Sequence, residues 1–359
     1  MWFDQRRAYR HLRHQKCTAF WLEKIEADRF QPVKLWESVD KLLGRGRTQA
    51  SPSLYVESLN DFFVEKVSKV RATTCGASTP TFHIVRNGVS LTHFSAISVD
   101  DVIRSTRQLP DKSSAADPLP TYILKQVIDL LAPFVTELFN RSLAAGRFPS
   151  SFKVASLTPV LKKQGLNSAD ASSYRPISNL SVLSKLLEHL VAQQLQHYLR
   201  SAGLLPALQS GFRPCHSTET AILRVLSDIL SAVDRGDFAA LVLLDLSAAF
   251  DTVDHDIMLQ RLQTSFGIGG AALNWFQSYL TSRTQYVRCG TSRSTTVRLI
   301  CAVPQGSVLG PILFIMYTSD LVSLIQQHRL SPHLYADDTQ IYGALAECPL
   351  RGHSARSLA

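Results

Sequence analysis

Two adjacent aspartates, Asp337 and Asp338, lie near the end of the chain between two short runs of apolar and aromatic residues. Residues 334–342 predict a tight β-hairpin with both aspartates at its bend, because Asp is common in turns. Like charges this close repel, and each raises the pKa of the other. A bound divalent cation would remove that repulsion. The pair therefore points to a metal site, which a third carboxylate from elsewhere should complete.

Asp245 is a candidate for that third carboxylate, because it ends the apolar run from Leu241 to Leu244. A continuous apolar run is typical of a central strand that is buried on both faces of a sheet. Oxygen ligands that converge from two strands suit Mg²⁺ or Mn²⁺ rather than zinc. Two such ions promote in-line phosphoryl transfer. Taken alone, however, each motif is more often a solvated turn.

Patterns of apolar residues predict the elements that must position these carboxylates. One predicted helix begins at Ser98, and another follows the loop at 109–120 and ends at 145. The other predicted helices lie at 1–48, 54–73, 181–201, 217–234, 255–265, 270–281 and 308–326. The predicted strands lie at 152–161, 239–246, 284–289 and 296–302, before the hairpin. The predicted linkers and loops are 44–53, 74–95 and 109–120. This mixture of helices and strands predicts an α+β fold.

Five segments with distinctive residues follow one another along the second half of the chain. They are 173–178, 209–213, Asp245 with Phe250 and Asp251, 303–311 and 335–338. In this order they resemble two finger segments and motifs A, B and C of the reverse transcriptase of a non-LTR (LINE-type) retrotransposon. The resemblance covers residues 150–342. Residues 62–67 more weakly resemble the connector that precedes the polymerase in these elements.

The resemblance implies a right-hand polymerase with fingers and a palm. It implies an N-terminal helical connector with its linker at 1–95, a fingers region at 96–235 and a palm with motifs A, B and C at 236–342. Residues 343–359 form a tail without assignment. Because the chain ends 21 residues after Asp338, the thumb is expected to be missing. Low processivity, reduced stability and an exposed sheet edge or apolar patch are then expected.

The resemblance assigns the metals to the aspartates. Asp245 and Asp337 would hold two Mg²⁺ (or Mn²⁺) ions, with the Leu246 carbonyl as a further ligand. Asp338 would be a weaker or outer ligand. Asp251 would support the site through hydrogen bonds rather than bind metal.

The resemblance also assigns a nucleotide pocket. Phe250 would exclude the ribose 2′-hydroxyl, because a bulky ring leaves no room for it; a core aromatic is the alternative. Arg175 would grip the triphosphate with its planar guanidinium. Lys162 would occupy a similar basic position, unless it lies on a solvated face.

Three further residues are expected to contact the template or the nucleotide. Gly306 would let the backbone approach a base or sugar closely and adopt a positive φ. Gln305 would offer its amide for hydrogen bonds. An ordinary turn before a helix is the alternative for this pair. Arg213 would contact the template or the nucleotide pocket.

The family implies DNA synthesis from dNTPs on an RNA template, with a DNA primer, in the nucleus. The alternatives are an inactive polymerase-derived fragment that binds nucleic acid, a partly folded pseudogene product and a viral RNA-dependent RNA polymerase. Phe250 and the sequence Tyr-Ala-Asp-Asp at 335–338 argue against the last of these.

Composition agrees with a globular protein that binds a polyanion. The chain has 359 residues, 45% of them hydrophobic, which is enough for two or three domains with a sizeable core. Its net charge is +9, with basic residues crowded into the first predicted helix. The six scattered cysteines have no zinc-site spacing, which favours reduced thiols in an intracellular protein. No signal peptide, transmembrane segment or membrane partner is predicted.

Overall fold

The structure is a computed structural model that describes residues 2–29, 31–42, 54–74, 76–78, 80–85, 88–111, 117, 119–163, 165–246 and 248–345. The predicted linker at 44–53 lies outside these residues, as does the predicted tail beyond 345. Within the described residues, helices and two separate β-sheets combine into a mixed fold of the predicted class.

The helices agree with the sequence pattern except near the two ends of the chain, since two helices lie where one was predicted at 1–48. They are α1 (Trp2–Asp28), α2 (Pro32–Leu42), α3 (Val56–Thr74), α4 (Val99–Gln108), α5 (Thr121–Ala144), α6 (Val182–Ser201), α7 (Thr218–Asp234), α8 (His255–Thr264), α9 (Gly270–Leu280), α10 (Gly310–Tyr317) and α11 (Asp320–Gln327). Ser98 and Ser217 begin their helices with capping boxes. The single helix predicted at 308–326 is wrong. Instead, α10 ends at the C-cap Thr318, whose φ of −97° and ψ of 7° leave the helical conformation, and α11 begins at Asp320.

The strands belong to two sheets. They are β1 (Val154–Leu161), β2 (Tyr174–Asn179), β3 (Phe238–Leu244), β4 (Thr284–Cys289), β5 (Ser292–Arg293), β6 (Val297–Arg298), β7 (Ser331–Tyr335) and β8 (Asp338–Leu345). The strand predicted at 296–302 is shorter than expected. Beyond β6 the chain leaves the sheet, and the Ala302 N–H bonds the Val253 carbonyl at 2.9 Å. This contact brings the following loop against the segment after β3.

The first sheet has the order β2-β1-β4, with β5 and β6 both paired to β4. β1 is antiparallel to β2 and parallel to β4. Helix α3 covers one face, where Leu59 and Phe63 pack in a buried cluster with Leu157, Tyr174 and Val287.

The second sheet has the order β3-β8-β7 and is antiparallel throughout. Helix α7 packs against it, and the Tyr342 hydroxyl donates to Asp228 of α7 at 2.6 Å. The prediction of a central β3 buried on both faces is wrong. β8 occupies the centre instead, and Leu243 of β3 is 69% exposed. β3 pairs only with β8 among the described strands, so its apolar run forms an exposed edge.

The main hydrophobic core lies among the helices. Helices α4, α5, α6, α8, α9 and α10 contribute to it, and Trp275 of α9 is fully buried at its centre. Phe94, Phe148 and Tyr279 make ring contacts with Trp275. In the part of the chain that the structure describes, the helices are either too short or too polar to cross a membrane.

Candidate active site

The β7–β8 hairpin places the paired aspartates differently from the prediction. Its two turn residues are Ala336 and Asp337, because Tyr335 already pairs with Asp338. Ala336 adopts a φ of +59°, which lets the turn close in two residues. Asp337 therefore lies at the tip, and Asp338 is the first residue of β8.

A neighbouring segment fixes this turn. The Gln209 side chain accepts from the Ala336 N–H at 3.0 Å and donates to the Ala336 carbonyl at 3.2 Å. Gly211 packs so closely that a Cβ there would lie 2.3 Å from the Ala336 nitrogen. Only glycine fits at 211, and the segment 209–213 thereby braces the hairpin that carries Asp337.

Asp245 lies beside the hairpin. Leu244 pairs with Thr339, so continuing the antiparallel register by one residue puts Asp245 opposite Asp338. Residues directly opposite have Cβ atoms about 5 Å apart. Burial, followed by the negative charges of Asp337 and Asp245, raises the pKa of Asp338 above its ordinary value. The three predicted carboxylates therefore share one electrostatic environment.

The carboxylates do not form a preassembled cage. Among the described residues, no group of three or more His, Cys, Asp or Glu side chains is arranged to hold a metal ion. Their chemistry nevertheless fits a hard divalent cation, because they offer only oxygen ligands and repel one another without it. The role of the Leu246 carbonyl as a further ligand stays a prediction.

Phe250 is half-buried rather than free in a pocket. Its ring stacks on Phe314 of α10 with the centroids 4.9 Å apart, and its carbonyl accepts from the Val303 N–H at 2.9 Å. The ring packs against the edge of the main core. This position is compatible with both predicted roles, a barrier to the ribose 2′-hydroxyl and a core aromatic.

Asp251 lies in an enclosed setting. Burial raises the pKa of its carboxyl, although Lys66 opposes the shift. It lines a cavity of about 290 Å³ with Lys66, Arg71 and Lys162, between α3 and the first sheet. Its carboxylate makes no hydrogen bond with the described residues, so the expected hydrogen-bond support is not formed here.

The loop with Gln305 and Gly306 approaches the outer edge of β2. The Ser178 N–H donates to the Gln305 carbonyl at 2.9 Å. Gly306 has a φ of +110°, and a Cβ at this position would lie 2.9 Å from the Ser178 carbonyl oxygen. Gly306 thus has the expected positive φ, and its close neighbour among the described residues is β2, while its approach to a base or sugar stays a prediction.

The predicted basic residues are divided between two places. Arg175 is exposed on β2 opposite Val160, and Lys162 follows the end of β1 nearby. Arg213 donates to the carbonyls of Pro206 (2.8 Å) and Gln209, and its contact with the template or the nucleotide pocket stays a prediction. Its guanidinium holds its own loop, a role that the sequence did not reveal.

Glu188 is a buried carboxylate that the sequence analysis missed. This residue of α6 is fully buried, and it accepts from the Val308 N–H at 2.9 Å and the Leu309 N–H at 3.3 Å. The Tyr279 hydroxyl also donates to it, at 3.2 Å. Burial raises the pKa of Glu188, with Arg283 opposing. The sequence signal for this buried residue was an acidic side chain among the leucines of the helix predicted at 181–201.

The chain matches the family model described as "Reverse transcriptase (RNA-dependent DNA polymerase)" over residues 160–354, more than half of its length. A "Probable RNA-directed DNA polymerase from transposon BS" of Drosophila melanogaster is 34% identical over 248 residues, which are 67% of this chain and 27% of that protein. The "RNA-directed DNA polymerase from mobile element jockey" of the same species is 31% identical over 253 residues, 69% of this chain and 27% of that protein.

A third relative is the "Retrovirus-related Pol polyprotein from type-1 retrotransposable element R2" of Popillia japonica. It is 30% identical over 187 residues, 51% of this chain and 25% of that protein. The chain thus spans about a quarter of the length of these curated relatives. The ordered motifs, the family match and the relatives agree, and the chain belongs to the reverse transcriptase family, among those of LINE-type retrotransposons.

Proposed function

We propose that this chain provides the nucleotidyl-transfer site of an RNA-directed DNA polymerase, which extends a DNA primer on an RNA template. The observation that carries the proposal is the register of β3 and β8, which, continued by one residue, puts Asp245 opposite Asp338, with Asp337 at the adjoining turn. Three hard oxygen donors on two neighbouring strands suit a reaction in which negative charge develops on phosphate oxygens.

Asp245 and Asp337 would hold two Mg²⁺ or Mn²⁺ ions, with Asp338 and the Leu246 carbonyl as outer or additional ligands. Such ions, when bound, lower the pKa of the primer hydroxyl and neutralise the leaving pyrophosphate. The chain's own contribution is to hold the carboxylates in register. Gln209 does this by fixing the Ala336 turn through both the oxygen and the nitrogen of its side-chain amide.

The nucleotide pocket would form between the two sheets' loops. Arg175 and Lys162 would bind the triphosphate, and Gly306 would bring the backbone close to the incoming nucleotide. Phe250 would lie under the sugar and select dNTP over NTP. Its stack on Phe314 supports this role, because a ring held by a neighbour is a firm steric barrier.

In this proposal, residues 96–235 act as fingers and residues 236–342 as the palm. Residues 1–95 form the preceding helical connector, and the reaction takes place in the nucleus. The second sheet supports the division, since β3, β7 and most of β8 lie within the palm range, whereas the first sheet combines β1 and β2 of the fingers range with three later strands. β4, β5 and β6 follow the boundary but pair with β1, so the palm segment would return to the fingers sheet.

Primer extension by the purified chain on an RNA template with Mg²⁺ tests the proposal. The wild-type chain should incorporate dNTP, and Asp337→Ala should reduce incorporation by at least about 100-fold, as expected for loss of a metal ligand. Incorporation that is unchanged in Asp337→Ala would refute the assignment of this residue.

Nucleic-acid binding without catalysis is a second candidate. The carboxylates are close but not converged among the described residues, and this observation favours it. Salt-dependent RNA binding by folded protein, without any incorporation under the same conditions, would support this candidate over the polymerase.

A further inference from the structure

The N-terminus of α10 takes its capping acceptor from another helix. Leu309 is the N-cap residue, and an apolar side chain cannot accept a hydrogen bond. In a capping box, an acidic side chain three residues into the helix accepts from the N-cap N–H, but that position is Ile312 here. Glu188 of α6 replaces it, because its Oε2 accepts from the Leu309 N–H at 3.3 Å and from the Val308 N–H at 2.9 Å. Negative charge beside a helix N-terminus is also favoured by the helix dipole.

The carboxylate of Glu188 is itself held from two sides. The Ser184 hydroxyl, one turn earlier on α6, donates to Oε1 at 3.1 Å. The Tyr279 hydroxyl of α9 donates to Oε2 at 3.2 Å, and its buried ring stacks on Trp275 with the centroids 5.7 Å apart. Four donors from three elements thus surround one buried carboxylate, and such a network specifies a single arrangement.

The loop before α10 is held at two further points. The Val303 N–H donates to the Phe250 carbonyl at 2.9 Å, where the loop begins. The Ser178 N–H of β2 donates to the Gln305 carbonyl, also at 2.9 Å. Glu188 supplies the third contact, on the other side of Gly306. The residues between these contacts are few, so the place of each contact largely sets the path of the backbone.

Two of the three contacts come from one short segment of the chain. β2 ends at Asn179 and α6 begins at Val182, and the hydroxyl of the N-cap Ser181 accepts from the Ser184 N–H. Ser178 and Glu188 are therefore joined by a tight strand–helix connection. The same β2 carries Arg175, the expected triphosphate ligand. This connection consequently relates the loop with Gly306 to the position of Arg175.

We propose that Glu188 is a positioning residue of the nucleotide pocket, which sets the place of Gln305 and Gly306 by capping α10 from α6. This inference rests on the proposed function, because these two residues contact the nucleotide only in that proposal. Glu188 is fully buried, and its oxygens accept from protein donors. It therefore acts on the nucleotide through the loop and does not touch it.

Glu188→Gln separates this role from simple filling of the core. The amide has the same shape, and its nitrogen can donate to the Ser184 hydroxyl while its oxygen still faces Val308 and Leu309. A neutral acceptor binds N–H groups more weakly than a carboxylate does. The loop should then loosen locally while the side chain still fills its space.

Asn140→Ala is the matched control, because it weakens the fold away from the loop. The Asn140 side chain of α5 accepts from the Ile97 N–H at 2.8 Å and donates to the Ile97 carbonyl at 2.9 Å. Loss of both bonds leaves buried backbone groups without these partners, which destabilises the protein. None of these atoms contacts residues 303–309 by a hydrogen bond given above, so a purely global effect is isolated.

Hydrogen–deuterium exchange on the full chain tests the capping contact without any catalysis. The exchange rate of residues 303–312 is divided by that of the central strand β8, which cancels changes in global stability. This ratio should rise about tenfold in Glu188→Gln, since a charge-assisted bond is lost, and stay within about twofold of the wild type in Asn140→Ala.

Single-nucleotide extension on an RNA template tests the consequence for the nucleotide. Glu188→Gln should raise the KM for dNTP about tenfold while kcat changes less than about threefold, because the loop affects binding more than the metal site. Asn140→Ala should leave both constants unchanged. An equal rise of KM in the two variants, or an unchanged exchange ratio in Glu188→Gln, would overturn the inference.

Binding of a labelled dNTP to protein with an RNA template and a chain-terminated primer distinguishes the two proposals. If the wild type extends a primer while Glu188→Gln keeps its KM and exchange ratio, the inference fails and the polymerase stands. If the wild type binds dNTP without incorporating it, and Glu188→Gln loosens the loop and weakens binding about tenfold, the positioning role stands and the polymerase fails. Absence of dNTP binding by folded wild type would overturn both.

Discussion

The register of strands β3 and β8, continued by one residue beyond the Leu244–Thr339 pair, puts Asp245 opposite Asp338. The register of an ordinary antiparallel sheet thus brings together two carboxylates that are 93 positions apart in the sequence (338 − 245). The charge of Asp245 disfavours ionisation of Asp338. The folded chain keeps the two carboxylates close despite their repulsion. A bound cation would remove this repulsion, which favours cation binding.

The first prediction concerns pH and Asp338. Its pKa is raised above the ordinary 3.8, first by burial and then by Asp337 and Asp245. The folded state therefore holds this proton more tightly than the unfolded state. Stability falls as pH rises from the ordinary pKa through the raised one. Asp338→Asn should gain stability relative to the wild type across this window, by no more than about 1 kcal/mol at such an exposed site.

Urea unfolding at a series of pH values between about 3 and about 6 measures this difference. In an Asp245→Asn background the same Asp338→Asn substitution should gain less, because one repelling charge is gone. A gain that is independent of pH, or the same in both backgrounds, would contradict the electrostatic account.

The second prediction concerns Gly306, whose φ is +110° and whose α-carbon faces the Ser178 carbonyl. Gly306→Ala adds both backbone strain and a clash with β2. We expect a loss of about 2 kcal/mol or more and a raised KM for dNTP. Gly236→Ala is the matched control, because Gly236 has a φ of +84° with open space around it.

Urea unfolding and single-nucleotide extension should be measured on both alanine variants. Gly236→Ala should cost about 1 kcal/mol from strain alone and leave KM unchanged. If the two variants are equally stable and equally active, the contact between Gly306 and Ser178 does not position the loop.

The third prediction concerns Glu188, which holds the start of α10 through two backbone N–H groups. Glu188→Ala would leave these donors and the Tyr279 hydroxyl buried without an acceptor. We expect a loss of about 3–5 kcal/mol. Glu188→Gln keeps one acceptor oxygen and should lose about half as much. Denaturant unfolding, with Glu137→Gln on the exposed face of α5 as the control, checks the order of these effects.

The fourth prediction concerns the exposed edge strand β3. Leu243 is 69% exposed, and an open edge with apolar side chains promotes self-association. Leu243→Lys should reduce association measured by sedimentation velocity, while the free energy of unfolding changes by less than about 0.5 kcal/mol. A large loss of stability would show instead that the side chain is covered in solution.

Local patterns predicted most of the helices and the β7–β8 hairpin. Ser98 and Ser217 illustrate this, because capping needs only residues three positions away. The position of β3 could not be read in the same way. Four consecutive apolar residues favour burial, but the order of strands depends on which segments pair, and here β8 takes the centre.

Contacts that form only in the folded chain explain the other differences. In the sequence, Glu188 is an isolated acidic residue on an apolar helix. Its partner, the Val308 N–H, lies 120 residues later in the chain. Arg213 carries a charge suited to phosphate, yet its guanidinium donates hydrogen bonds to backbone carbonyls of its own loop. Neither partner can be inferred from spacing, because the partners are set by tertiary packing.

Single-nucleotide primer extension on an RNA template, with dNTP and NTP tested side by side, measures the central claim most directly. The wild-type chain should incorporate dNTP selectively with Mg²⁺ and lose this activity with EDTA, and folded Asp245→Asn should be at least about 100-fold slower. No incorporation by folded wild-type protein, or equal incorporation by Asp245→Asn, would contradict a polymerase site built on Asp245, Asp337 and Asp338.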